Sequence, residues 1–169
     1  MKSVHWMVAA LFLLAACGAP EEPPPAPREP GAGVVGYYCG MTLAEHTGPK
    51  GQLFVAGEPG PLWFSSVRDL FAYLQLEGAT RRILARYVND MGRAEGGNPP
   101  PDSWIDAQKA VFVVGSSQKG GMGGAEILPF ADRTAAQRFA QQWGGRVVAF
   151  GEVGPEDVFP PNAQEPPAK

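Results

Sequence analysis

The sequence predicts an α+β domain built from two repeated ββαβ units, packed as one small domain and flanked by disordered proline-rich termini. Three observations predict it. An order of strand, strand, helix, strand is legible twice, over residues 51–89 and again over 109–150. The prolines sit mainly in two terminal clusters, so the core-forming residues lie between about Val34 and Val153. The length, 169 residues with 44% hydrophobic, suits one domain, and either unit alone is too small to bury its own apolar face.

Residues 1–16 read as a signal peptide. Lys2 supplies a positive start, and Trp6 to Ala16 is an uninterrupted apolar run, too short to span a bilayer. It ends in Leu14-Ala15-Ala16-Cys17-Gly18, which resembles the lipobox of bacterial lipoproteins, so Cys17 is the expected lipidation site. Several acyl chains on one residue anchor stably where a single chain does not. Residues 17–33 then form a stalk with Pro20, Pro23, Pro24, Pro25, Pro27 and Pro30. In extended polyproline geometry such a stalk holds the domain about 40 Å or more from the membrane. Residues 34–153 are the expected folded domain, and residues 154–169 the expected disordered tail.

Within the first unit, Gly51 to Ala56 reads as a strand, Gly57 to Gly60 as a turn, and Leu62-Trp63-Phe64 as a second strand. Ser65 or Ser66 is the expected helix cap, through a side-chain oxygen that accepts a backbone N–H. Val67, Leu70, Phe71 and Leu74 follow at helical spacing, Gly78 ends the helix, and Ile83 to Val88 reads as the third strand. Gly96 to Pro101 is a flexible connector. In the second unit, Lys109 to Gly115 and Glu126 to Phe130 read as strands joined by the glycine-rich stretch Gly120 to Gly124. Asp132 caps a helix with the stripe Ala136, Phe139, Ala140 and Trp143, stopped by Gly144-Gly145; Arg146 to Phe150 closes the unit as a strand.

The chemistry gathers in Tyr37 to Gly51. Beyond the leader and Cys17, the chain has one cysteine, Cys39, one histidine, His46, and three methionines, Met41, Met91 and Met122. An unpaired thiol in an oxidising compartment is a liability. Thiolate and thioether are soft donors that favour Cu(I) over hard cations. All three methionines fall in glycine-flanked loops rather than in apolar stripes, where core methionines usually sit. Cys39, Met41, Met91, Met122 and His46 are therefore the candidate copper ligands, with the ion placed at the seam between the two units. Lys50 and Arg93, near these loops, are candidates for steering an acidic partner.

Other readings are weaker. A net charge of −3 without a basic block gives no sign of nucleic-acid binding. Gly120 to Gly124 lacks the Lys-Ser/Thr of a phosphate loop, and no Cys-x-x-Cys is present for zinc or thioredoxin chemistry. Two alternatives stand beside copper binding. One is a thiol enzyme using Cys39 with Asp90 as acid–base partner, and the other a non-metal lipoprotein scaffold for an envelope assembly complex.

The chain resembles the NosL family, the accessory lipoproteins of nitrous-oxide reductase maturation. The resemblance is carried by Cys39-Gly40-Met41, Gly48-Pro49-Lys50-Gly51-Gln52, Phe64-Ser65-Ser66-Val67-Arg68-Asp69, Tyr87-Val88-Asn89-Asp90-Met91-Gly92, Trp104-Ile105-Asp106-Ala107, Val113-Val114-Gly115-Ser116 and Gly121-Met122-Gly123. It implies a non-enzymatic Cu(I) metallochaperone, lipid-anchored in the cell envelope and facing the periplasm. Such a protein delivers copper for the copper–sulfide site of nitrous-oxide reductase. The implied partner is the assembly machinery, with the periplasmic subunit of an ABC-type complex. By position, Cys39 and Met41 fall on the family's Cys-Gly-Met motif and Met91 on its Asp-Met motif. The family fold of two ββαβ units agrees with the repeat.

Overall fold

The computed structural model describes residues 23–159. Cys17, the leader and residues 160–169 lie outside the described residues, and the lipidation reading with them. The chain runs through β1 (Gly51–Val55), β2 (Leu62–Phe64), α1 (Val67–Leu76), β3 (Ile83–Asn89), β4 (Trp104–Asp106), β5 (Val111–Val114), β6 (Leu128–Phe130), α2 (Arg133–Trp143), β7 (Arg146–Ala149) and α3 (Pro155–Val158). The strands form two antiparallel sheets, ordered β2-β1-β3-β4 and β6-β5-β7. In each, the first strand of the unit lies in the middle, with the second and third on its flanks. The repeat read from the sequence is thus a repeat in space, and the fold is the expected α+β domain.

Strand β5 shows why the two units become one body. Its side chains alternate across the sheet, as the two-residue period of a strand requires. Phe112 and Val114 enter the main core, while Val111 and Val113 enter a smaller one with Leu128, Phe130, Ala136 and Phe139 under α2. The main core draws on both units: Leu53, Phe64, Val67, Leu70 and Phe71 meet Phe112, Ile127 and Val148. Helix α1 is therefore buried by residues of the other unit as well as its own.

The capping of α1 is shared in the same way. Ser66 occupies the N-cap position, but its side chain accepts no helix N–H. Instead the buried Glu126, just before β6, receives the Ser66 hydroxyl at 3.0 Å, the Arg68 N–H at 3.0 Å and the Ile127 N–H at 2.9 Å. A carboxylate is a stronger acceptor than a hydroxyl and suits the positive end of the helix, so it displaces the serine from the expected role. Helix α2 is capped as predicted, with Asp132 accepting the Ala135 N–H at 2.8 Å and Gly144 at φ 75° past its end.

Three segments depart from the sequence reading. Residues 17–33 were expected to form a free stalk, yet from Pro25 to Pro30 the chain lies against the first sheet. Arg28 exchanges two hydrogen bonds with the Gln52 amide, Tyr87 donates to Pro25 O at 2.7 Å, and the Arg28 guanidinium covers the Phe54 ring. The cause is legible in β1. Leu53 and Val55 face the main core, so Gln52 and Phe54 on the opposite face need another cover, and all five residues of β1 are buried. Gly96 to Pro101 holds no helix or strand, but beyond it the sequence shows no element where β4 forms and pairs with β3; three residues are too few to show a period. The tail was expected to be disordered from residue 154. Pro155 starts α3 at a helix position where its missing N–H is harmless, and Val153 and Val158 enter the main core.

Burial pushes the Glu126 carboxyl up to about 7 from its ordinary 4.5, against the pull of its three donors; Asp69 adds to the rise. The folded value lies above the unfolded one, so the stability this group contributes is complete below about pH 4.5 and lost as pH rises through about 7. Glu126→Gln keeps a carbonyl acceptor and removes the titration. Urea midpoints measured from pH 4.5 to 8 should fall more steeply with pH for wild type than for Glu126→Gln.

Candidate metal centre

Cys39 sits at the tip of a tight hairpin. Val35 pairs with Thr42, Gly36 N–H donates to Met41 O at 3.0 Å, and Leu43 N–H donates to Val34 O at 2.9 Å. Closing a loop this short requires a left-handed residue, and Gly40 supplies it at φ 64°. The Cys-Gly-Met order therefore has a structural reason: glycine makes the turn that sets thiol and thioether on either side of it. The hairpin is held to the first sheet by the Tyr37 N–H, which donates to Trp63 O at 2.7 Å. Tyr37 and Tyr38 both donate from their hydroxyls to Glu77, just past α1, at 3.0 and 2.9 Å. The Glu77 hydrogen bond raises the Tyr37 hydroxyl, and burial with that bond raises Tyr38 further, so both rings stay neutral donors.

The sulfur is half-buried. Its Sγ lies 3.9 Å from His46 Nε2, 3.9 Å from Met41 O and 3.3 Å from Ser65 Oγ. Thiol and imidazole, the only ones among the described residues, are thus neighbours. Met41 is 43% exposed beside them. Met122 is 42% exposed, on the loop whose Gly121 backs onto the His46-Thr47 backbone. A Cβ at Gly121 would lie 2.5 Å from Thr47 O, so only glycine lets the two loops approach this closely. That contact joins the two units and brings Met122 to the histidine side of the site.

Met91 is placed differently. It packs with Val111, Leu128, Phe139 and the rest of the smaller core, and lines a hollow of about 250 Å³ with Thr47, Pro49, Lys119 and Phe139. His46 lines another, of about 310 Å³, with Glu29, Lys50, Asn89, Pro99 and Trp104. Gly48 borders both hollows. The structure thus brings Cys39, His46 and the Met41 backbone together, sets Met122 on an adjoining loop, and puts Met91 across Gly48.

Several charged groups have roles that the sequence did not show. Asp90 is buried and accepts N–H groups of Gly92 and Ala131 at 2.8 and 3.0 Å, bridging the two units rather than attending the thiol. Lys50 donates to Gly48 O at 2.6 Å, and burial pulls its ammonium down to about 8 against the attraction of Glu126. Arg93 pairs with Asp102 at 2.8 Å. Neither of these basic groups projects as a free steering charge. Asp69, half-buried next to Arg68, is pushed above the usual carboxylate range by desolvation, while Arg68 and His46 oppose that rise. Ser65 and Glu77 were missed as parts of the site because each acts on Cys39 or its hairpin across a large sequence separation.

Among the described residues no group of three or more His, Cys, Asp and Glu side chains converges as a metal site. The donor set is one thiol, one imidazole and exposed thioethers, which suits a soft ion of low coordination number rather than a closed tetrahedral zinc site.

The comparisons with known proteins point the same way. The family model described as NosL matches residues 27–158. The copper-binding lipoprotein NosL of Achromobacter cycloclastes is 42% identical over 157 residues, which cover 92% of this chain and 81% of that protein. Its namesake in Stutzerimonas stutzeri is 37% identical over 118 residues, 69% of this chain and 60% of that one. Among solved structures, the crystal structure of the copper chaperone NosL from Shewanella denitrificans superposes with a TM-score of 0.73 at 34% identity, covering 79% of this chain and 98% of that chain. The solution structure of apo-NosL from Achromobacter cycloclastes gives a TM-score of 0.51 at 42% identity, with 69% and 94% covered.

If the Tyr37 and Tyr38 clamp sets the hairpin, Glu77→Ala should loosen it without unfolding the domain. Amide hydrogen exchange of Gly36 and Gly40 should speed up about tenfold, the scale of the two lost exposed hydrogen bonds, with the β1 amides unchanged.

Proposed function

The chain belongs to the NosL family, and from that premise we propose that it is a lipid-anchored Cu(I) metallochaperone of the cell envelope, facing the periplasm. In this reading it binds and hands over copper and catalyses no reaction. It delivers the ion for assembly of the copper–sulfide site of nitrous-oxide reductase, through the periplasmic subunit of an ABC-type complex. The observation that carries the reading is the half-buried Cys39 thiol with His46 Nε2 at 3.9 Å and the exposed Met41 two residues on. Lipid anchoring rests on the lipobox at Cys17 and on relatives that are named lipoproteins.

The site suits retention followed by transfer. The ion is cargo, held by the Cys39 thiolate as the dominant ligand and supported by the His46 imidazole. A thioether is neutral and readily displaced, so Met41 and Met122, both exposed, are the donors that an incoming soft ligand replaces first. The partner docks on this open side, over a rim that includes Val35, Tyr37 and Tyr38. Met91, across Gly48, is the sulfur donor that would draw the ion toward the seam between the units. The thiol-enzyme alternative loses its acid–base partner, because the Asp90 carboxylate is spent on backbone N–H groups.

The soluble domain lacking residues 1–17 should bind one Cu(I) per chain or per dimer, measured by competition with a Cu(I) chelator under reducing conditions. Cys39→Ser should lose most of the affinity and Met41→Leu only part of it; unchanged binding in Cys39→Ser would sink the reading. X-ray absorption of the Cu(I) forms of wild type and Met91→Leu then decides whether Met91 is a ligand. Identical sulfur scattering in both removes Met91 from the site, and the seam position with it.

Anchoring is checked separately. Cys17→Ala should move the full-length protein out of the membrane fraction or leave it uncleaved. An unmodified Cys17 in the mature protein, found by mass spectrometry, would contradict the anchor.

A further inference from the structure

The two serines before α1 have parted company. Ser66 donates to Glu126, so its hydroxyl is committed to the seam. Ser65, in the same bend after β2, instead meets the Cys39 sulfur, 3.3 Å from its Oγ. Ser65 is only 3% exposed, so its hydroxyl makes this contact away from bulk water. Beneath the same sulfur lies the buried Gly36. A Cβ there would stand 2.7 Å from Cys39 Sγ and 3.2 Å from Ser65 Oγ. Gly36 is not among the left-handed glycines, so the backbone would accept alanine; the space would not.

We infer that Ser65 is the positioning residue of the copper thiolate, and that Gly36 keeps open the cradle in which its hydroxyl reaches the sulfur. This deepens the copper reading and rests on it. When Cys39 is a thiolate, the serine O–H is the donor, because a thiolate has only acceptor capacity. The hydrogen bond fixes the sulfur on the side of His46 and leaves the outward lobe for the ion. Ser65 touches the ligand and not the ion, so its role is positioning.

The test uses the soluble domain with four substitutions: Ser65→Ala, Ser65→Thr, Gly36→Ala and Cys39→Ser. Ser65→Ala should bind Cu(I) about tenfold more weakly, the size of one hydrogen bond to a charged group, with thermal unfolding unchanged. Ser65→Thr keeps the hydroxyl and should recover most of the loss. Gly36→Ala, which fills the cradle, should lose at least as much as Ser65→Ala. A copper-free readout runs beside these: NMR couplings of Cys39 should report one χ1 rotamer in wild type and averaging in Ser65→Ala. Equal affinity and one rotamer in both Ser65→Ala and wild type would overturn the cradle. Equal losses in Ser65→Ala and Ser65→Thr would also overturn it, since the hydroxyl would then be irrelevant. Failure of wild type itself to bind Cu(I), or full binding by Cys39→Ser, strikes instead at the copper reading.

Discussion

A single buried carboxylate sets the order of this molecule. Glu126 belongs to the second unit but accepts the donors at the start of the first unit's helix, so the two units are registered at that point. From there the dependence runs outward through neighbouring residues. Arg68 and Ser66 take their places from the carboxylate, Ser65 is the next residue back along the chain, and the Cys39 sulfur lies against its hydroxyl. A helix N-terminus buried without an acceptor would be expensive, because its free N–H groups have lost water. The fold meets that demand from across the seam.

The second constraint is the two-sidedness of β1 and β5. Both central strands are buried on two faces, and each needs two covers. For β5 these are the main core and α2; for β1 they are α1 and the proline-rich segment from Pro25 to Pro30. Proline suits that second task, because it needs no hydrogen bond for its own nitrogen and lies extended against a sheet. The segment continues from Glu29 into the wall of the hollow beside His46, with Glu29 accepting from Trp104 Nε1 and Asp102 N. What reads as a spacer is therefore part of the domain and of the surroundings of the site.

These arrangements give the site its character. Cys39 and Met41 lie on a hairpin whose backbone is closed by three hydrogen bonds and whose aromatic side is pinned to Glu77. His46 and Met122 lie on two loops pressed together at Gly121. The thiol is thus half-buried on a stiff hairpin, while the thioethers of Met41 and Met122 are exposed around it. For a protein that retains a soft ion and then surrenders it, strong donor on rigid backbone and weak donor on open surface is a coherent division.

Much of this was determined by the sequence alone. The doubled strand, strand, helix, strand order follows from period and breakers, since alternation and helical spacing are local properties of the chain. The Cys39-Gly40-Met41 turn, the Asp132 cap and the Gly144 stop are local for the same reason. The rarity of thiol and imidazole marks Cys39 and His46 in the sequence itself. Tertiary structure alone decided the rest. That Ser66 yields its cap to Glu126, that Asp90 ties Gly92 to Ala131, and that Pro25 to Pro30 cover Gln52 and Phe54 are contacts between residues far apart in the chain. Their partners are set by packing, which no local pattern encodes. Met91 shows the limit most plainly: glycine-flanked and apparently free in sequence, it is drawn into the smaller core because the second unit has apolar surface to cover there.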